Sequence, residues 1–189
     1  MQVLLQRLAR RLVLLPGPFS TARKLYLQLL GANIGSGTRM PKCIVPWPHQ
    51  IQIGADCTLE PDIYFKFDGF WLPGPSIIIG NRVFLGRGVE FNVQAKLEIG
   101  DDCGIGSSVI FADHNHAMAP VAERMRDQVT ETAPICIGRD VLIGGHSFVL
   151  KGVTIGDGSI ISVGSVVNKS IPAGEIWGGV PAKKIRDRG

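Results

Sequence analysis

Aliphatic side chains recur every six residues along much of this chain, and this period restricts the folds open to it. The longest run in one frame is Ile137, Ile143, Val149, Ile155, Ile161 and Val167. The same frame returns at Ile79, Leu85 and Phe91, at Ile99, Ile105 and Phe111, and more loosely at Ile53 and Leu59. Such a period fits neither an α-helix, which repeats about every 3.6 residues, nor a simple alternating strand. It favours a coil with three flat sides, each a short strand that points one aliphatic residue inward.

A second set of inward positions supports the coil. Four residues after eight of these positions stands a small side chain: Cys57, Val83, Cys103, Val141, Ser147, Val153, Ser159 or Ser165. Small residues suit the tight corners of a narrow interior. Three hexads complete one coil, and successive coils stack about 4.8 Å apart. Two of the four cysteines fall in this set, so we expect them to pack rather than to serve redox chemistry or a metal.

Composition narrows the classes of function. The 189 residues are 45% hydrophobic but only 7% aromatic, with 24 glycines, which indicates a globular chain rich in turns. The formal charge of +4 comes without a lysine and arginine run of the nucleic-acid type, so we expect no nucleic-acid partner. The cysteines lack metal-type spacing, and neither a cleavable signal nor a long apolar span is evident, which predicts a cytoplasmic protein.

The N-terminal residues follow a different pattern from the coil. Leucines at helical spacing with arginines between them precede the breaker Pro16-Gly17-Pro18, and a second helix is predicted from an N-cap at Ser20 to Leu30, closed by Gly31. We therefore divide the chain into a helical segment, 1–30, and a coil domain, 31–189, with a loop at about 112–134 and a tail at about 171–189. The basic amphipathic segment either packs on the coil domain or a neighbouring subunit, which we favour, or touches the inner face of a membrane peripherally.

From Ile34 to the C-terminus the hexads resemble those of the hexapeptide-repeat acyltransferases. The closest resemblance is to maltose- and galactoside-type O-acetyltransferases and to those of polysaccharide biosynthesis. The resemblance implies an all-β fold, a left-handed parallel β-helix of hexapeptide repeats with an N-terminal helical segment and a protruding loop. It also implies acetyl-CoA as co-substrate and a homotrimer whose CoA groove lies between two subunits.

The long break in the hexads after Phe111 begins with Asp113-His-Asn-His116. Long loops within compact repeats are often functional, and histidine is the natural base near neutral pH. The stretch from Ile105 to His116 resembles the segment of the sugar acetyltransferases that ends in their catalytic histidine. Counting without gaps matches His116 to that base, with His114 as the competing candidate. Asp113 or Asn115 would orient the ring.

The resemblance also assigns the CoA side residue by residue. Gly144 and Gly145 match a corner whose backbone approaches the pantetheine arm, and Val163 lies in the next corner up. Asn168-Lys169 stands where relatives have a Thr-Lys pair, so the hydroxyl contact is in doubt while the lysine is kept. The ending Gly178–Lys183, which includes Pro181, resembles the point where the chain leaves the coil near the adenine. Lys183 and Arg186 are cations suited to the 3′-phosphate.

The sugar acceptor is the least defined part of the prediction. The aromatic residues of the break from Phe65 to Ser76 are expected outside the hexad ladder, where they suit either a sugar ring or a subunit interface. The predicted acceptor-binding residues are Trp71, Phe91, Asn92 and Asn115. The expected reaction is acetyl transfer to a hydroxyl or amine of a sugar, in surface polysaccharide or glycan-precursor biosynthesis.

Two rival functions remain open. A zinc hydratase of the γ-carbonic-anhydrase kind shares the β-helix and would use three histidines, here His114, His116 and His146. Two of these stand two residues apart in a loop rather than at coil spacing, so we expect no metal. The other rival is a trimeric scaffold without catalytic activity.

Overall fold

The six-residue period places one short strand on each of three flat faces in turn. The computed structural model describes residues 19–69, 72–117, 124 and 127–189. Along the chain, strands visit the first, second and third face in a fixed order, so that three strands complete one coil. Each strand hydrogen-bonds in parallel to its counterpart in the next coil, which makes a parallel β-helix of triangular cross-section.

The strands group by face as follows. The first face holds β1 (Asn33–Ile34), β3 (Ile51–Ile53), β6 (Ile77–Ile79), β9 (Leu97–Ile99), β14 (Ile135–Ile137) and β17 (Thr154–Ile155). The second holds β4 (Thr58–Leu59), β7 (Phe84–Leu85), β10 (Gly104–Ile105), β15 (Leu142–Ile143), β18 (Ile160–Ile161), β20 (Glu175–Gly179) and β21 (Ala182–Asp187). The third holds β2 (Cys43–Ile44), β5 (Ile63–Phe67), β8 (Glu90–Val93), β11 (Ile110–Ala112), β16 (Phe148–Leu150) and β19 (Val166–Val167).

A few elements depart from this pattern. A helix, α1 (Phe19–Leu29), precedes the first coil, and a short 3₁₀ helix spans Pro48–Gln50. Strands β12 (His114–His116) and β13 (Thr130–Thr132) form an antiparallel pair outside the coil. The last two strands, β20 and β21, also pair antiparallel and close the C-terminal end of the second face.

The register confirms the aliphatic ladders predicted from the sequence. Ile53, Ile79, Ile99, Ile137 and Ile155 lie one above another on the first face. The second face stacks Leu59, Leu85, Ile105, Ile143 and Ile161 in the same way. Nearly all these side chains are fully buried, so the ladders form one continuous apolar interior.

The third-face ladder corrects two predictions. Phe65 pairs with Phe91, which pairs with Phe111, and the rings stack at 5.0 and 5.4 Å between centroids. Phe65 therefore continues the hexad frame of Ile53 and Leu59, and the expectation that the aromatics of that break lie outside the ladder is wrong for Phe65 and for the buried Phe67. Phe91 is 0% exposed, so its assignment as an acceptor-binding residue is also wrong. A residue sealed in the core by rings on both sides cannot touch a sugar.

The small residues at the corners pack as expected. All eight are buried, and the hydroxyls of Ser147, Ser159 and Ser165 donate to backbone carbonyl oxygens. All four cysteines are free thiols, and the Sγ atoms of Cys57 and Cys103 donate to carbonyls of neighbouring coils. Burial raises the pKa of the Cys103 thiol to about 11. A thiol held neutral in this way packs as a small apolar side chain rather than reacting as a nucleophile.

The helix ahead of the coil differs from its prediction at one end. Ser20 lies inside α1 and is buried, so it does not cap the helix from outside. At the other end Gly31 adopts a φ of 98°, and Ala32 N donates to Leu27 O while Gly31 N donates to Gln28 O. This is the Schellman geometry predicted for a closing glycine. The leucine-rich residues 1–18 lie outside the described residues. No helix in the described part of the chain is long and apolar enough to cross a membrane.

Candidate active site

Two corner edges of the triangular coil carry the predicted site residues. We call the corner between the second and third faces the glycine edge; it includes residues 106–108, 144–146 and 162–164. The corner between the third and first faces is the histidine edge, with residues 94–96, 113–117, 127–134, 151–152 and 168–170. Residues on one edge stack above each other, because the coils are in register.

The histidine-bearing loop leaves the coil at the end of β11. Residues His114 to His116 form β12, whose register pairs His114 with Thr132 and His116 with Thr130. Ala133 N then donates to Asp113 O at 2.9 Å, and the hexads resume at Ile135. The two histidines therefore stand on an ordered two-stranded base rather than in an irregular loop.

Asp113 anchors this base to the coil below. Its carboxylate is 0% exposed and accepts the backbone N–H groups of Gln94 (2.8 Å), Ala95 (2.8 Å) and Lys96 (3.0 Å). The same carboxylate lies 3.0 Å from His114 Nδ1. A buried carboxylate needs such donors, and together they fix both the corner at 94–96 and the ring of His114.

A second carboxylate faces the other side of the His114 ring. Asp68 Oδ2 lies 3.9 Å from His114 Nε2 and 2.5 Å from Lys66 Nζ. With its Nδ1–H donated to Asp113, a neutral His114 presents the Nε2 lone pair toward Asp68. The side chain of His114 is only 17% exposed, so most of the ring is shielded by these neighbours.

His116 is placed differently. It lies two residues further along β12, and alternate residues of a strand point to the same side, so both rings project from one side of β12. His116 is exposed, and the nearby Asn115 donates from Nδ2 to the His116 carbonyl oxygen at 3.0 Å. Asp113 thus orients His114 and not His116, and Asn115 contacts the backbone rather than either ring.

Polar side chains cover the outer surface of the third face beside this histidine pair. Asn92 pairs in register with Lys66, and its Nδ2 donates to Glu90 Oε1 at 2.9 Å. The sequence predicted a site role for Asn92 but not for Lys66, Glu90 or Asp68. The pattern could have indicated them, because strands of this period expose alternate residues and these three positions carry charge. Trp71, also predicted to bind the acceptor, lies outside the described residues.

The glycine edge brings the predicted pantetheine corner together with the next coil. A Cβ on Gly144 would stand 2.5 Å from Val163 N, and one on Gly106 would stand 2.5 Å from Gly145 N. Backbones approach this closely only because those positions are glycine. Val163 is 71% exposed and stands at the surface of the same corner.

The C-terminal strand pair extends the glycine edge by one layer. A Cβ on Gly178 would lie 2.9 Å from Ser162, and Gly179 N donates to Ser165 Oγ at 3.2 Å. Pro181, Lys183 and Arg186 are exposed on this pair, so their side chains are open to solvent above the corner. Lys184 is instead engaged by Asp187 and Glu175, whose carboxylates raise the pKa of its ammonium group.

Asn168 and Lys169 do not lie on the glycine edge with the other predicted CoA-binding residues. Both follow β19 and stand exposed on the histidine edge, above the corner that carries β12. Within this chain the predicted CoA-binding residues therefore divide between two edges. The predicted base shares its edge with Lys169, while Gly144, Val163 and Lys183 stand on the other.

The three histidines of the alternative zinc site also lie on two different edges. His146 has a φ of 57° at the glycine edge, whereas His114 and His116 stand on the histidine edge. Across the described ranges, no cluster of three or more His, Cys, Asp or Glu side chains is arranged to hold a metal ion.

Comparison with known proteins identifies the repeat. Residues 134–169 match the family model of the hexapeptide repeat of succinyl-transferase. Galactoside O-acetyltransferase of Escherichia coli K12 is 33% identical over 136 residues, covering 71% of this chain and 63% of that protein. The putative lipopolysaccharide biosynthesis O-acetyl transferase WbbJ of the same strain is 36% identical over 121 residues, covering 53% of this chain and 62% of that protein. The chain thus spans less than two thirds of the length of these curated relatives.

Solved structures agree with the fold. The hexapeptide-repeat acetyltransferase VCA0836 of Vibrio cholerae, solved with acetyl coenzyme A, superposes with a TM-score of 0.63 at 28% identity, covering 89% of this chain and 78% of that one. The three-sided coil is the one predicted from the hexads, and its left-handed winding is the one that the family resemblance implied. The chain carries the hexapeptide repeat in a left-handed parallel β-helix, and its resemblance to the hexapeptide-repeat acyltransferases is confirmed.

Proposed function

We propose that this protein is an acetyl-CoA-dependent acetyltransferase acting on a hydroxyl or amine of a sugar. The observation that carries the proposal is the pair of histidines on β12, fixed by Asp113 at the edge of a coil that resembles those of acetyltransferases. In the reaction, the base takes the acceptor proton as the acceptor oxygen or nitrogen attacks the thioester carbonyl. The carbon–sulfur bond then breaks, the acetyl group stays on the acceptor, and the CoA thiolate takes the proton.

We assign the base to His116. It occupies the position that matches the catalytic histidine of the sugar acetyltransferases, and its exposure leaves the ring free to meet two substrates. In this assignment Asp113 and His114 support the strand that presents His116. The alternative, His114 as base, has a specific observation in its favour, because its Nδ1 is hydrogen-bonded to a carboxylate and its Nε2 is left to accept a proton.

The acceptor is placed beside these rings. Asn92 supplies an amide group, its neighbours Glu90 and Lys66 on the third face add charge, and Asp68 lies between Lys66 and the His114 ring. Closely spaced donors and acceptors of this kind suit the hydroxyls of a sugar ring. The similarity to WbbJ supports a role in surface polysaccharide or glycan-precursor biosynthesis. Because acetyl-CoA is a cytoplasmic metabolite, we place the reaction in the cytoplasm. In an alternative arrangement, residues 1–30 also hold the protein peripherally on the inner face of the membrane.

The CoA site is proposed to form between subunits of a homotrimer. One protomer carries the glycine edge with Lys183 and the histidine edge with Lys169 on different corners, so a groove that uses both needs two protomers. Exposed apolar side chains on the outer faces support such an assembly, among them Phe84, Leu142 and Phe148. Closed cyclic symmetry then gives three equal sites.

The rival functions receive less support from the contacts. Two of the three histidines of the zinc alternative, His114 and His116, stand two residues apart on β12 rather than at coil spacing. A scaffold without activity leaves unexplained why a fully buried carboxylate fixes the strand that carries two histidines.

A thiol-release assay tests the proposal. Purified protein is mixed with acetyl-CoA and a panel of galactosides, glucosides and amino sugars, and free CoA is followed with a thiol reagent. Acceptor-dependent release that is lost in His116→Ala supports the transferase. Release that is absent with every acceptor, from protein that binds no acetyl-CoA, contradicts it. Metal analysis of the same sample then tests the zinc alternative.

A further inference from the structure

A cavity of about 210 Å³ opens between the start of α1 and the first corner of the coil. Its walls are Ser20, Thr21, Lys24, Gly37, Thr38 and Arg39. It is smaller than the pockets of about 300–1,000 Å³ that hold drug-sized ligands, so only a small group fits inside. It lies at the N-terminal end of the coil, apart from the histidine and glycine edges near which the transferase residues stand.

Ser20 gives this cavity an unused polar group. The side chain is 5% exposed, and within the described ranges its Oγ has no hydrogen-bond partner. A serine hydroxyl both donates and accepts, and burying it without a partner costs free energy. The hydroxyl of Thr38 is by contrast fully used, since it donates to Gly54 O at 2.7 Å and accepts from Cys57 N at 2.9 Å. Among the buried polar atoms of the described residues that line the cavity, Ser20 Oγ is therefore the one without a partner.

Both charged side chains that line the cavity, Lys24 and Arg39, are positive. Lys24 Nζ donates to the carbonyl oxygens of Gly35 (2.5 Å) and Thr38 (3.2 Å), and neither Lys24 nor Arg39 forms an ion pair with any described residue. The first turn of α1 holds no acidic residue. A helix start carries a partial positive charge that attracts anions. Three positive contributions thus meet at one small cavity.

One acidic side chain lies beside the cavity without lining it. The carboxylate of Asp56 packs against Gly37, a wall residue whose φ of 71° favours glycine. Asp56 itself has a φ of 55°, a conformation that asparagine also accepts. Its negative charge opposes an anion in the cavity, which makes it a useful site for a variant with the opposite effect.

We propose that this cavity binds a phosphate group, held by Arg39, Lys24 and the hydroxyls of Ser20 and Thr21. A tetrahedral anion offers acceptors to all four side chains and gives Ser20 Oγ its missing partner. The site is independent of acetyl transfer and uses none of the transferase residues. The phosphate has two sources with the same chemistry, a soluble phosphorylated molecule or the headgroup of an anionic lipid.

Calorimetric titration of inorganic phosphate and pyrophosphate into the full chain at low ionic strength tests the site. Arg39→Gln is expected to weaken binding by about tenfold or more, which corresponds to ~1.4 kcal/mol. Lys42→Gln is the matched control, because Lys42 is exposed, carries the same charge and lies outside the cavity wall. An equal loss in both variants would indicate diffuse attraction to positive charge and would overturn the site.

Two further variants separate binding from folding. Ser20→Ala removes the unpartnered hydroxyl, so we expect a higher thermal midpoint together with weaker phosphate binding. Asp56→Asn should tighten binding, because it removes the opposing charge. If Ser20→Ala and Arg39→Gln both bind phosphate like the wild type, or if the wild type binds neither anion at millimolar concentration, the proposal is wrong.

The source of the phosphate is distinguished with vesicles. Sedimentation with phosphatidylcholine vesicles is compared with vesicles that also contain phosphatidic acid. Capture by phosphatidic acid that Arg39→Gln reduces and Lys42→Gln does not would assign the site to a lipid headgroup. Phosphate binding that depends on Arg39 without such capture would assign it to a soluble phosphorylated molecule.

Discussion

The carboxylate of Asp113 lies 3.0 Å from Nδ1 of His114 while it accepts three backbone N–H groups from the coil below. This contact joins the fold to the candidate site, because the same side chain closes a corner and orients a ring. It also explains how β12, which leaves the regular repeat, keeps a defined position.

Replacing Asp113 tests this double role. Asp113→Asn retains the shape but turns an acceptor oxygen into an amide that faces N–H donors, so we expect a loss of about 1–3 kcal/mol in stability. The thermal midpoint and the turnover number should fall together. Asp187→Asn is the control, since that exposed carboxylate pairs with Lys184 at the surface and its loss should change the thermal midpoint little. Equal effects from the two substitutions would contradict the anchoring role.

The two histidines are distinguished by separate substitutions. His116→Ala should lower turnover by about 10²–10⁴ with little change in acetyl-CoA affinity, because a missing base acts on the chemical step. His114→Ala should have a smaller effect on turnover and a measurable one on stability, since it removes a partner of Asp113. If His114→Ala is inactive while His116→Ala keeps its activity, the assignment is reversed.

The 3′-phosphate contact is tested on β21. Lys183 is exposed and Lys184 is paired with Glu175, so neighbouring lysines give a matched comparison. Lys183→Ala should weaken binding of CoA more than binding of CoA that lacks the 3′-phosphate, because only the former presents that anion. Lys184→Ala should weaken both equally, through the strand pair. If Lys183→Ala weakened the binding of both ligands equally, Lys183 would not be the residue that contacts the 3′-phosphate.

The phenylalanine stack has a structural consequence. Phe91 lies between Phe65 and Phe111 with nearly parallel rings, so Phe91→Ala should destabilise the protein by about 3–5 kcal/mol. Chemical denaturation measures this loss. The conservative Phe91→Leu should retain the acceptor KM, since the ring does not reach the surface. If Phe91→Leu changed the acceptor KM without changing stability, Phe91 would contact the acceptor, contrary to its burial.

The buried thiol of Cys103 predicts a loss of stability in alkali. Burial raises its pKa from the ordinary 9.0 to about 11, so between these values the unfolded chain loses the proton and the folded chain keeps it. This favours unfolding as pH rises, by the linkage between proton binding and stability. Cys103→Val should reduce the alkaline drop in thermal midpoint, because the neighbours above and below in this column, Val83 and Val141, are already valine. An unchanged alkaline drop would show that other groups cause it.

The fold was accessible from the sequence because a six-residue period has few structural solutions. The error at Phe65 arose from reading an aromatic cluster with nearby glycine and proline as a break. In fact, rings 5.0 Å apart match the strand spacing of about 4.8 Å, so phenylalanines form a ladder as readily as aliphatic residues.

The candidate site could be predicted from the sequence only in part. The Asp-His-Asn-His motif marks the edge, but the partners of Asp113 are backbone groups 17 to 19 residues earlier. One coil of three hexads places these residues directly below Asp113, but the repeat does not reveal whether a side chain turns onto the backbone of the coil below. Asp68 was missed for the same reason, since its distance to His114 depends on how coils stack.

The central claim is that acetyl-CoA binds in a groove that two protomers share. It is tested most directly by titrating acetyl-CoA into the purified protein while measuring the mass of the complex. We expect one site per chain in a trimer, with affinity lost in Lys183→Ala and retained in His116→Ala. A folded trimer that binds no acetyl-CoA, or a monomer that binds it fully, would contradict the account.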